Sequence, residues 1–143
     1  MSNANRRHFF RLPFQHPLCA ELKMIDYKDL MPEYRIVKAA LLDLSAGGAR
    51  FSTATPLPDD DNLLVELKFT VMHKEFKPVG TIVRSMRSEE EHDEYSIQFS
   101  WNEADIAALT GVLNQMAVKL RNKTVLPGCS FCTEEELLEF KRL

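Results

Sequence analysis

The sequence predicts a mainly β fold: a six-stranded antiparallel β-barrel followed by an amphipathic α-helix and a short terminal helix. Three observations carry this reading. Apolar and polar residues alternate through the middle of the chain, and turn-forming clusters separate the alternating segments. After Trp101 the hydrophobic period lengthens from two to between three and four.

The first strand is read from Leu18, Ala20, Leu22 and Met24, which alternate with Cys19, Glu21 and Lys23. The clearest is read from Leu63, Val65, Leu67 and Phe69, with Leu64, Glu66, Lys68 and Thr70 on the opposite face. Comparable segments cover 34–45, 49–53, 76–84 and 95–100. The links at 46–48, 56–62 and 88–93 are rich in Gly, Pro or acidic residues. Short links between successive strands predict antiparallel pairing, and closure removes exposed edges.

For the helix, Asn102 is a candidate cap and Asp105 suits the first turn. Ile106, Leu109, Leu113, Met116 and Leu120 form a stripe expected to cover the barrel, a dimer seam being the alternative. Pro127 and Gly128 end that region. Thr133 with Glu136 makes a capping box for a short helix containing Leu137, Leu138 and Phe140. The expected division is residues 1–121 for the barrel with its N-terminal arginine loop and packing helix, and 122–143 for a C-terminal extension.

A chain of 143 residues with 45% hydrophobic and 27% charged content suits one soluble domain with its own core. No apolar run approaches the roughly 20 residues that cross a bilayer. Three cysteines suit a reducing compartment, and the arginine-bearing first segment lacks the apolar stretch of an export signal, so a cytoplasmic protein is expected. The formal charge is −3, unevenly spread: Arg6, Arg7 and Arg11 give residues 1–16 a charge of +3, and the remainder carries −6, including Asp59 to Asp61 and Glu89 to Glu91. Such a distribution suits a small dianion at the basic end and disfavours a nucleic-acid polymer.

Two segments carry chemistry. The first runs Arg6-Arg7-His8-Phe9-Phe10-Arg11-Leu12-Pro13, ahead of the first expected strand. The second is Asp43-Leu44-Ser45-Ala46-Gly47-Gly48, at the turn between the second and third. At a strand end, Asp43 and Ser45 would share the outer face and Leu42 and Leu44 the inner one. Gly47 and Gly48 permit positive φ, and Gly48 leaves room for a flat ligand near the backbone. Each segment also has a plain explanation, the first as a solvated tail and the second as a good hairpin turn. Phe9 and Phe10, set between the arginines, favour docking of the first on the barrel.

Together the segments resemble the signature of the PilZ family. Its Arg-x-x-x-Arg is matched by Arg7 and Arg11, and its Asp-x-Ser-x-x-Gly by Asp43, Ser45 and Gly48, in the right order. The resemblance covers about residues 6 to 120. It implies a receptor for cyclic di-GMP that does no chemistry on it and needs no cofactor or metal. Arg7 and Arg11 would then pair with phosphate or guanine, since a planar fork serves both. Asp43 would accept from guanine N1–H and N2–H, Ser45 would bond phosphate or base, and Gly48 would be the permissive backbone position. Arg6 resembles the extra arginine of members that hold two stacked, intercalated ligands per subunit, the alternative being a solvated neighbour. Arg50 and Arg84 occupy outward strand positions from which they could also face the ligand, and are read first as solubilising.

The expected mechanism is ordering of the Arg6 to Pro13 loop by the ligand, producing a surface read by an unknown protein partner in motility, pilus or exopolysaccharide control. The second reading is a PilZ-like interaction adaptor that binds no nucleotide. An oligonucleotide-binding barrel is disfavoured by the acidic remainder. Monomer and homodimer stay open. Cys129-x-x-Cys132 has zinc or redox spacing, but Cys19 and the histidines offer no matching second pair, so both cysteines are read as small tail residues ahead of the last helix. With no phosphate loop, dinucleotide fingerprint or nucleophile elbow, a non-enzyme is expected.

Overall fold

The computed structural model describes residues 9–25, 36–58, 63–87 and 93–141. Leu18, Ala20, Leu22 and Met24 all point inward from β1 (Arg11–Met24), and Val65, Leu67 and Phe69 do the same from β4 (Leu64–Val71). The remaining strands are β2 (Ile36–Ser45), β3 (Gly48–Thr53), β5 (Lys74–Phe76), β6 (Val79–Arg87) and β7 (Asp93–Phe99). Six strands close a ring in the order β1-β2-β3-β7-β6-β4, with β4 returning to pair with β1 through Glu21↔Lys68 to Met24↔Val65. All the pairings are antiparallel. The inward residues of every strand thereby share one core, centred on fully buried Leu22, Leu41, Phe51 and Leu67.

Two boundaries differ from the sequence reading. The expected strand at 76–84 is two elements, because Pro78 lacks an N–H and interrupts the ladder. Phe76 ends β5, a seventh strand joined to β4 by the two-residue turn Met72-His73. Both turn residues have positive φ, 49° and 67°, a conformation usually announced by Asn or Gly. The first strand starts at Arg11, well before Leu18. Its alternation is interrupted by a bulge: Pro13 faces Asp43 and Leu18 faces Leu41, so residues 14–17 of β1 stand against Leu42 alone.

Helix α1 (Glu103–Lys119) begins at Asn102, whose side chain accepts from the Asp105 N–H at 2.8 Å. Leu109, Val112, Leu113 and Met116 are buried in the ring's core, whereas Ile106 and Leu120 are half-buried. Each fully buried apolar side chain contributes about 1.5–3 kcal/mol, enough to hold the helix to the ring by its stripe.

Residues beyond α1 fold back onto the ring. Where β1 and β4 separate beyond Glu21↔Lys68, the tail inserts: Cys19 N–H donates to Ser130 C=O at 2.6 Å and Ser130 N–H to Thr70 C=O at 2.9 Å. The Ser130 hydroxyl donates to Cys19 C=O at 2.8 Å and accepts from Thr70 N–H at 3.1 Å. The tail thus satisfies backbone groups that the splayed strands cannot give each other. Helix α2 (Glu134–Lys141) follows with both arms of a capping box: Thr133 N–H to Glu136 Oε1 at 2.8 Å, and Glu136 N–H to Thr133 Oγ1 at 3.1 Å.

Candidate functional site

Arg11 and Asp43 are brought together by strand register. Pairing of Arg11 with Ser45 and Pro13 with Asp43 places the arginine at the start of β1 beside the acid near the end of β2. Arg11 Nη1 donates to Asp43 Oδ1 in an ion pair. Arg11, Leu12 and Pro13, expected in a loop ahead of the first strand, are therefore its first residues. Arg6 and Arg7 lie outside the described residues, as do His8, Asp59 to Asp61 and Glu89 to Glu91.

Asp43 is 8% exposed, and both of its oxygens are engaged. Oδ1 also accepts the Arg50 backbone N–H at 3.1 Å, and Oδ2 lies 3.3 Å from Arg50 Nε. The register between β2 and β3 shifts by one residue between Leu41 and Asp43, so that Leu41 and Leu44 enter the core. Leu42, expected inside beside Leu44, is only half-buried because it occupies that bulge.

Ser45 departs from its expected outward position. It is 2% exposed, and its hydroxyl accepts from Gly47 N–H at 3.1 Å and donates to Gly48 C=O at 3.3 Å. The hydroxyl thus closes the hairpin turn from within, a local bond that serine forms readily.

The two glycines are also explained differently. Among the described residues positive φ occurs at Met72, His73 and Gly128, and not at Gly47 or Gly48. A Cβ on Gly48 would run into the carbonyl oxygen of Ile97 on β7, and one on Gly47 into the ring of Phe9. Close approach of the β7 backbone, not turn conformation, requires glycine at 48, and the Phe9 ring fills the space beside Gly47. Phe9 therefore docks on the hairpin, while Phe10 is 41% exposed. Phe99 N–H to Gly47 C=O at 2.9 Å and Trp101 Nε1–H to Ala46 C=O at 2.8 Å fix the turn from the other side.

These elements enclose an open recess of about 420 Å³, lined among others by Arg11, Asp43, Gly48, Arg50, Val83 and Gln98. Arg50, legible as an outward position that could also face the ligand, contributes a guanidinium to this recess. Arg84 shares its row across Ser96 and is exposed, but it is not in the lining. Val83 is 57% exposed because β6 bulges against β7 between Ile82 and Arg84.

The cysteines lie elsewhere. All three are free thiols. The Cys19 thiol, which donates to Glu136 Oε2 at 3.2 Å, is pushed far up by its hydrogen bond with Cys132, by burial and by Glu136. Burial also raises Cys129, against the lowering effect of the Met72 N–H on its sulfur at 3.3 Å. Neither has the lowered pKa of a reactive thiol. Among the described residues no group of three His, Cys, Asp or Glu side chains could hold a metal ion. None of the described helices is long and apolar enough to cross a membrane.

A closed antiparallel ring whose first two strands are joined by an arginine–aspartate ion pair defines a small mainly β domain. The PilZ domain model matches residues 5–114, and the chain belongs to that family. No curated protein matches by sequence. Among solved structures, the Bacillus subtilis inhibitor of motility (MotI/DgrA) superposes with a TM-score of 0.61 at 14% identity, over 82% of this chain and 54% of that one. YcgR from Escherichia coli, solved in complex with c-di-GMP, gives 0.58 at 18% identity, over 82% and 49%. The MrkH–c-di-GMP complex from K. pneumonia gives 0.63 at 17% identity, over 82% and 54%. At these identities the likeness is one of fold, and this chain spans about half the length of each of those proteins.

Proposed function

We propose that this protein is a cyclic di-GMP receptor that binds the nucleotide at the recess beside the β2–β3 hairpin and passes the signal to a protein partner without chemistry on the ligand. The observation that carries the proposal is the meeting of Arg11 and Asp43, one from each signature segment, at the rim of one recess. Family membership supports it, as do fold relatives solved in complex with c-di-GMP.

In this reading Arg11 is held ready by Asp43. On binding, a phosphate replaces the carboxylate as the partner of Arg11, and a guanine edge takes the place that Arg11 vacates on Asp43. The exchange keeps every charged group paired, as a buried carboxylate requires. Arg7 supplies a second fork for phosphate or guanine, and Arg6 a third where two stacked ligands are held. Ser45 and Gly48 act through the hairpin, which presents Asp43 at a fixed height on the sheet. The Arg6 to Arg11 segment closes over the ligand and creates the surface that the partner reads.

Calorimetric titration of Arg7→Ala and Arg11→Ala with cyclic di-GMP tests the site. Charge-assisted contacts are worth about 1.5–3 kcal/mol, so each variant loses roughly ten- to a hundredfold in affinity while keeping its fold. Unchanged affinity in both variants would reject it.

A further inference from the structure

Basic charge is not confined to the first residues of the chain. Between Asp105 and Glu134 there is no acid, and Lys119, Arg121 and Lys123 follow one another at the end of α1. Lys119 and Lys123 border a recess of about 380 Å³ between that helix end and the Met72-His73 turn, with Met72, Val118 and Leu126 in its apolar wall. A cation at a helix end is ordinary, because it complements the helix dipole. That does not account for Val118, which is 57% exposed in an apolar hollow beside two ammonium groups, a combination that marks an interaction surface.

Helix α2 presents the converse surface. Its inner face is anchored: Phe140 is buried with Ala40 and Cys132, Leu137 packs on them, and Lys38 Nζ lies 3.5 Å from Glu136 Oε2 and 3.9 Å from Glu139 Oε2. At about 100° per residue, Leu138 falls between Glu134 and Glu135 on the opposite face. All three are exposed, Leu138 by 52%. Among the described residues no opposite charge lies within ion-pair distance of Glu134, Glu135, Lys119 or Lys123.

We propose that α2 of a second copy of this chain docks in the recess at the end of α1, with Leu138 against Val118 and Leu126 and with Glu134 and Glu135 beside Lys119 and Lys123. A leucine between two carboxylates matches an apolar hollow beside two ammonium groups in number and in sign. The helix does not serve its own recess, because Cys132 N–H to Pro17 C=O at 3.0 Å and the burial of Phe140 on Ala40 hold it to β1 and β2. Every chain carries both surfaces, so two copies that each give a helix and receive one close a two-fold dimer with the contact made twice. The contact is small and charged, so the association is weak and sensitive to salt. It does not depend on the nucleotide reading of the other recess.

Sedimentation velocity of the full chain without nucleotide, over a range of concentration at low and high salt, is the test. The wild type is expected to move from the mass of one chain towards that of two as concentration rises, and back again as salt screens the charges. Lys119→Glu with Lys123→Glu makes both surfaces acidic, and Glu134→Lys with Glu135→Lys makes both basic; all four positions are exposed, and circular dichroism checks that each chain folds. Each double variant alone stays a monomer where the wild type pairs, and an equimolar mixture of the two associates because opposite surfaces meet again. Leu138→Ser, which leaves every charge in place, weakens wild-type pairing about tenfold. A wild-type chain of single mass up to about millimolar concentration, or a mixture that stays monomeric, would overturn the proposal. So would pairing undiminished in both double variants, which would put the contact elsewhere. A monomeric wild type that sediments with phosphatidylglycerol vesicles, and ceases to do so in the Lys119→Glu, Lys123→Glu chain, would assign the recess to a lipid surface instead.

Discussion

Arg11 and Asp43 are 32 residues apart in sequence and joined by an ion pair across the first two strands of a closed ring. The pair is half in water: the arginine side chain is 51% exposed and the aspartate side chain 12%. Solvent around the arginine screens the pair, which limits what it adds to stability. The arrangement is therefore better suited to holding two groups in position for a third than to holding the fold together.

Replacing Asp43 should separate recognition from folding. Asp43→Asn keeps one carbonyl acceptor but turns the other oxygen into a donor that faces the Arg50 Nε and the guanine edge alike. Cyclic di-GMP affinity is expected to fall about tenfold or more, by loss of charge-assisted bonds. Titration calorimetry together with a thermal melt checks this; full affinity in the variant would remove Asp43 from the site.

Gly48→Ala should act on stability before it acts on ligand. The added Cβ meets the Ile97 carbonyl oxygen, a backbone atom in the middle of a ladder that cannot swing aside. Overpacking of this kind costs about 1–3 kcal/mol. A denaturant titration reads the loss directly, and an unchanged midpoint would show that β3 and β7 can part at no cost.

Much of this was legible in the sequence, and the failures share a cause. Period-two runs such as Leu63 to Phe69 and the cap at Asn102 are local signals, and the structure bears them out. Arg11 and Asp43 were recognisable as signature residues, but their contact depends on register. The outward position expected of Ser45 and the positive φ allowed at Gly48 do not occur, because what surrounds them, the turn amides and the β7 carbonyl, is set by pairing between distant strands. Arg50 was named as able to face the ligand but read first as solubilising, because nothing in the local text says that Asp43 and Glu94 flank it. The Met72-His73 turn went unseen because neither residue advertises positive φ.

The tail offers a second test of the fold. Ser130→Ala removes a hydroxyl that bridges the Cys19 carbonyl and the Thr70 amide. Unsatisfied groups of this sort cost about 1–3 kcal/mol. Hydrogen exchange at the Thr70 amide is expected to speed up while exchange in β3 and β7 is unchanged. Equal protection in both proteins would mean that the tail is not what completes the seam between β1 and β4.

Attachment of α2 should weaken in acid. The Glu136 carboxyl lies below its ordinary value of 4.5, chiefly because it accepts the Thr133 backbone N–H, with further help from Cys19 and Lys38. A carboxylate lowered in the folded state stabilises fully above about pH 4.5 and loses that contribution as pH falls through the folded value. Exchange of the Leu137 amide, bonded to Thr133 C=O at 2.9 Å, is expected to rise below pH 4.5 once corrected for intrinsic rates. In Glu136→Gln this pH dependence should disappear.

Titration of the wild-type chain with cyclic di-GMP, in the presence and absence of excess GTP, tests receptor function most directly. Saturable heat at one or two ligands per chain, unaffected by GTP and lost in Arg11→Ala, is the predicted result. No heat with the chain at tens of micromolar, or heat abolished by GTP, would contradict it and leave the domain as a protein-binding adaptor.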